Sequence, residues 1–269
     1  MWDGKKLAAA EGWRNRALYG VIAMMLLISV TEYIFVYAHP AYGVALALFL
    51  ALGVATATAV APLHPQLARS LDSLNLVPLY ILVTASLPWF LLEQPLLLPA
   101  VYYFILLLCA RHLYARGATF ASLKELGFHA DNWPRHILLG LVAGIPLGIT
   151  EYLVLTPARE APMLEWINVA RDTIYMFFFV GLGEELLFRA IIQRDLGDIL
   201  GWKGGLVLSS ILFGIMHMSW RSVPELFFTA FAGFVLGYVY YRTKGLLAPV
   251  AMHAMNNVLL VSILPYVFT

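Results

Sequence analysis

Long apolar runs follow one another along this 269-residue chain, and they constrain its fold more than any motif does. They cover positions 18–38, 41–62, 75–92, 95–110, 136–157, 168–195, 204–219, 224–241 and 246–265. A helix that crosses a bilayer needs about 20 mostly apolar residues. Lipid offers backbone N–H and C=O groups no partners, so an open chain must satisfy them within helices. The expectation is an all-α, polytopic transmembrane helical bundle of nine helices. The runs 75–92 and 95–110 are short and could form one re-entrant unit, which would leave eight spans. Composition agrees: 61% of residues are hydrophobic, 12% are charged, and the mean hydropathy is +0.80. A soluble domain carries about 25% charged residues. The net charge of +1 gives no reason to expect nucleic acid as a partner. The single cysteine, Cys109, can form no intrachain disulfide and reads as a small buried hydrophobe.

Basic residues set the orientation of a membrane protein. An N-terminus on the cytoplasmic side leaves only Arg159, Arg171 and Arg221, of the 17 lysines and arginines, on the far side. The first run follows Lys5, Lys6, Arg14 and Arg16 and is longer than the ~7–15-residue core of a signal peptide, so it reads as a span. The longest inner loop, 111–135, divides the chain. Residues 1–135 form a membrane-embedded accessory region of about four helices, and 136–269 hold the polar constellations described next. Within the loop, Ser122-Leu123-Lys124-Glu125-Leu126-Gly127 reads as a short surface helix ended by glycine. Trp2, Trp13, Tyr33, Tyr37, Trp89, Tyr102 and Tyr103 read as anchors at the membrane interface. Thr31-Glu32-Tyr33 and Thr150-Glu151-Tyr152 place a glutamate toward the outer end of two spans, where a structural role outweighs a functional one.

Three constellations carry possible chemistry. The first is Gly183-Glu184-Glu185-Leu186-Leu187-Phe188-Arg189 in the sixth run. Ionisable residues in a span are costly and are functional candidates by default. Glu185 and Arg189, four apart, share a helix face and suit an ion pair. Glu184 is turned away by about 100°. A carboxylate left partly desolvated there could serve as general base or acid, or belong to a polar cluster that only joins helices. The second constellation is Phe213-x-x-x-His217. His217 is either a satisfied structural histidine or a catalytic one; Phe213, one turn back, either walls a site or packs in the core. The third is His253-x-x-x-Asn257, one helix face whose imidazole and carboxamide N–H groups could donate to an oxyanion or bond between helices. Counting ~1.5 Å per residue, Glu184 lies roughly 16 Å, His217 about 20 Å and His253 about 10 Å from the inner ends of their helices, so one cavity could receive all three.

In that order, on three successive apolar stretches, these motifs resemble the CAAX protease and bacteriocin-processing family and its Rce1-like prenyl-protein endopeptidases. The resemblance covers roughly residues 166–265 and implies an intramembrane glutamate protease with a catalytic membrane domain over 136–269. It implies that Glu184 activates the attacking water, that His217 orients this water or shares its proton, and that His253 and Asn257 hold the oxyanion. Glu185, Arg189 and Phe213 would support them. The expected activity is endoproteolysis near the C-terminal or hydrophobic segment of a membrane-associated protein, without an acyl-enzyme. The expected partners are that substrate and the lipid bilayer, and the expected location is a bacterial or archaeal cell membrane. The chain lacks a His-Glu-x-x-His zinc motif, and the resemblance implies neither metal nor cofactor. A non-catalytic immunity or scaffold subunit and a transporter are the alternatives. Transport would be favoured by discontinuous helices, of which Gly144-x-Pro146-x-Gly148 is the main sequence hint.

Overall fold

The computed structural model describes residues 2–86, 94–129, 131–159 and 161–268, and all regular structure among them is helical. The helices are α1 (Trp2–Tyr33), α2 (Pro40–Val60), α3 (Pro65–Leu74), α4 (Leu76–Ser86), α5 (Gln94–Ala115), α6 (Phe120–Glu125), α7 (Trp133–Leu155), α8 (Trp166–Tyr175), α9 (Leu182–Glu185), α10 (Arg194–Ile215), α11 (Val223–Thr243), α12 (Leu247–Val258) and α13 (Leu264–Val267). Wider π-helical turns extend α1 over Ile34–Ala38, join α8 to α9 over Met176–Gly181, join α9 to α10 over Leu186–Gln193, and continue α12 over Leu259–Ile263.

Among the described residues, seven helical stretches are long and apolar enough to cross a membrane, which makes this a multi-pass helical bundle. One of them, Trp166–Trp220, has 55 residues and is not a single span. Gly201 breaks it with φ 75° and ψ 164°, a conformation open to glycine because it has no Cβ. The chain doubles back there: Ser209 Oγ is 3.4 Å from Gln193 Oε1, whereas a straight helix would separate these residues by about 24 Å. The two legs match the expected spans 168–195 and 204–219. The expected third span, 75–92, is described only in part. Its described part, α4, has 11 residues and is too short to cross alone. Positions 87–92, Trp89 among them, lie outside the described residues, as does the side chain of Trp2.

Cations assigned to opposite sides occupy opposite ends of the bundle. At one end Arg116 binds Asp195 and donates to Arg69 O at 2.5 Å, and Arg194 meets Glu125 at 3.3 Å. At the other, Arg159 donates to Pro265 O at 2.9 Å, and Arg221 donates to Val36 O at 2.7 Å. Beside Arg221, the Tyr37 hydroxyl reaches Met218 O at 3.5 Å, so the end of α1 is fastened to the 218–221 turn.

Helices in lipid gain little by burying apolar surface against each other, and close packing by small residues takes over. Gly140, Gly144 and Gly148 form such a stripe on α7. A Cβ at each would run into a carbonyl oxygen of α12, from Ala248, Met252 and Asn256 respectively. Pro146 lies inside α7 without interrupting it. One buried apolar cluster joins Val21 and Ile28 of α1, Ile105 and Cys109 of α5, Leu187, Leu212 and Val250, and so runs across the division at the 111–135 loop.

Candidate active site

Glu184 and Glu185 occupy α9, the single turn of α-helix between two π-helical stretches. Such widened turns recur at functional sites. Here both glutamates, although consecutive, reach one imidazole. His253 Nδ1 is 2.9 Å from Glu185 Oε1, and His253 Nε2 is 3.7 Å from Glu184 Oε2. Glu185 Oε2 also pairs with Arg189 Nε at 3.0 Å, the contact expected from their spacing. Both members are fully buried, so the desolvation of each must be offset by the other. Glu184 is buried too. Among the described residues its Oε2 has no hydrogen-bond partner, while its Oε1 accepts from the Tyr102 hydroxyl.

Phe213 links the first constellation to the second. The Arg189 guanidinium carbon lies 4.6 Å from its ring centroid, the His253 ring 5.8 Å and the His217 ring 4.6 Å. The local chain geometry explains the posture of His217. At the end of α10, His217 N donates to Gly214 O at 2.9 Å in a tightened last turn, which leaves the Phe213 carbonyl to accept from His217 Nδ1 at 2.7 Å. With Nδ1 carrying the proton, Nε2 of the neutral ring is left as an acceptor.

His217, His253, Asn257 and Phe213 line one cavity, which Glu151, Asn256 and Thr229 also reach. The volume open to the centre of a water-sized sphere is ≈ 20 Å³, enough for one water. Glu184 does not line it and meets it through His253. Asn256 also lies on the cavity. Its Nδ2 donates to Glu151 and, at 3.0 Å, to Asn257 Oδ1. That bond turns the Asn257 carboxamide so that its own N–H groups are left for another acceptor. Ser209 and Ser210 donate to Leu206 O and pack inside the bundle. Among the described residues, no three His, Cys, Asp or Glu side chains are arranged to hold a metal ion.

Sequence reasoning missed two residues here. Glu151, expected near the outer interface, is buried on the cavity wall, with wholly buried Glu225 of α11 beside it. The glycine spacing of α7 was the available signal: the face turned to α12 continues from Gly148 to Glu151 and Tyr152, both buried. Tyr102, expected at the interface beside Tyr103, is the second. It is 7% exposed and bonded to Glu184, whereas Tyr103 is 53% exposed.

Residues 166–259 match the family described as Type II CAAX prenyl endopeptidase Rce1-like. The resemblance read from the three motifs therefore holds over the segment that carries them. A Bacillus subtilis (strain 168) protein described as "Putative membrane peptidase YdiL" is 32% identical over 119 residues, which covers 42% of this chain and 48% of that protein. The chain thus spans about half the length of this curated relative. No solved structure matches.

Proposed function

We propose that this chain is an intramembrane endopeptidase that cleaves a membrane-associated protein near its C-terminal or hydrophobic segment. The observation that supports it is the convergence of three distant motifs: Glu184 beside His253, with His253, His217 and Asn257 on one water-sized cavity. In this reading Glu184 Oε2 takes a proton from water as the water oxygen bonds to the scissile carbonyl carbon. His217 Nε2 accepts from the same water and orients it. The oxyanion is met by Asn257 N–H and His253 Nε2–H, while Glu185 holds His253 Nδ1–H. His253 then works as an imidazolium, and its charge with that of Arg189 balances the two glutamates. Collapse of the tetrahedral intermediate breaks the C–N bond, and the proton held by Glu184 passes to the leaving amine.

The same reading divides the chain into a catalytic membrane domain over 136–269 and an accessory region over 1–135. It sets the protein in a bacterial or archaeal cell membrane with the N-terminus in the cytoplasm. Replacing the base or the water-orienting histidine removes a group worth about 100- to 10,000-fold in rate. Glu184→Gln and His217→Ala are therefore each expected to lose at least about 100-fold in cleavage while keeping the thermal unfolding of the parent. The substrate is found by comparing the C-terminal peptides of membrane and exported proteins between parent and Glu184→Gln strains. Identical peptide patterns, or full activity in either purified variant, overturn the proposal.

A further inference from the structure

The two carboxylate oxygens of Glu184 have unequal surroundings. Oε1 accepts from the Tyr102 hydroxyl, which in turn lies 2.9 Å from the Tyr80 hydroxyl. Oε2 has no hydrogen-bond partner among the described residues and faces His253. Because Tyr102 gives its only proton to Glu184, its oxygen must accept from Tyr80, and the two phenols form a donor series that ends on the carboxylate. Space for this contact is left by Gly183: a Cβ there would lie 3.1 Å from the Tyr102 ring, closer than ordinary van der Waals contact. Tyr80 and Tyr102 stand on α4 and α5, outside the 166–259 segment.

A glutamate side chain can rotate and offer either oxygen. A buried donor fixed on one of them removes that freedom, and small misplacements of a reacting group are costly in rate. We propose that Tyr102, oriented by Tyr80, is a positioning residue of the active site: it occupies Oε1 of Glu184 and so makes Oε2 the oxygen that receives the proton of the attacking water. This rests on the reading of Glu184 as the base. It gives α4 and α5 a part in the reaction that the family-matched segment does not itself contain.

The test uses the whole chain in proteoliposomes and the cleaved protein found with the Glu184→Gln strain. Tyr102→Phe keeps the ring and removes one oxygen. It is expected to lower kcat about 10- to 100-fold with KM within about twofold. Tyr80→Phe is expected to lose less, and the Tyr80→Phe/Tyr102→Phe pair no more than Tyr102→Phe alone, because the series acts through one hydroxyl. Tyr103→Phe, on the exposed neighbour, is the control and leaves kcat unchanged. A Tyr102→Phe variant with the parent's kcat, beside an inactive Glu184→Gln, overturns the inference. So does a loss that appears in KM or in thermal unfolding and leaves kcat untouched. A fully active Glu184→Gln instead overturns the underlying reading of the base.

Discussion

The spans Leu247–Val267 and Pro40–Val60 have the same length, 21 residues, yet 67% of the apolar window of the first is buried within the protein and 17% of the second. Hydropathy runs the other way, 1.6 for the buried span and 2.2 for the exposed one. In water the most apolar helix seeks the centre. In lipid the tails are as apolar as leucine, so polar residues are drawn inward to one another and the greasiest helix faces the bilayer. The inner position of α12 therefore depends on many polar and small-residue contacts, and the place of α2 on few, among them the bond from Asn75 Nδ2 to Ala51 O and the close approach of Gly43 to Phe35.

The sharpest attempt to break this contrast removes a buried charge. Arg189→Met leaves Glu185 without its arginine and is expected to cost about 3–5 kcal/mol in stability, read by unfolding in detergent. A double variant that also carries Glu185→Gln, which removes the charge and keeps an acceptor for His253 Nδ1, should recover most of that loss; if it does not, the unpaired charge is not what costs the stability. Next comes the seam between α7 and α12. Gly144→Val drives a side chain into the Met252 carbonyl and is expected to cost about 1–3 kcal/mol, the usual range for overpacking. An unchanged stability would mean that the two helices can part without penalty. The smallest effect belongs to α2: Phe49, 72% exposed, should tolerate Phe49→Ala within about 0.5 kcal/mol. A larger loss would show that the α2 surface is covered by something other than lipid.

The same contrast explains which features were legible in the sequence. Glu184, Glu185, Arg189, His217, His253 and Asn257 stood out because charge and imidazole are rare in spans, and helix spacing paired Glu185 with Arg189 correctly. Tyr102 did not stand out. On α5 its buried face continues through Ile105, Cys109 and Leu113, but the opposite face, with Tyr103, Phe104 and Leu107, is equally apolar because it meets lipid. Periodicity cannot separate two apolar faces, and a tyrosine suits an interface as well as an interior. Glu151 was hidden for a different reason. Counting residues placed it near the end of its helix, and only the close approach of α12 onto the α7 glycines shows that this end is enclosed. The reversal at Gly201 was legible only as a gap between two runs; its tightness is set by a positive-φ backbone that hydropathy does not report.

The fastening of Arg221 and Met218 to the end of α1 bears on how far the candidate site could be transplanted. The turn that follows His217 is moored to Tyr37 and Val36, which lie 181 and 185 positions before their partners in the chain. Grafting the three motifs onto another bundle would carry over the candidate side chains but neither that mooring nor the phenol bonded to Glu184. The stretch matched by the family is therefore a toolkit, and the helices before it are the bench on which the tools are clamped.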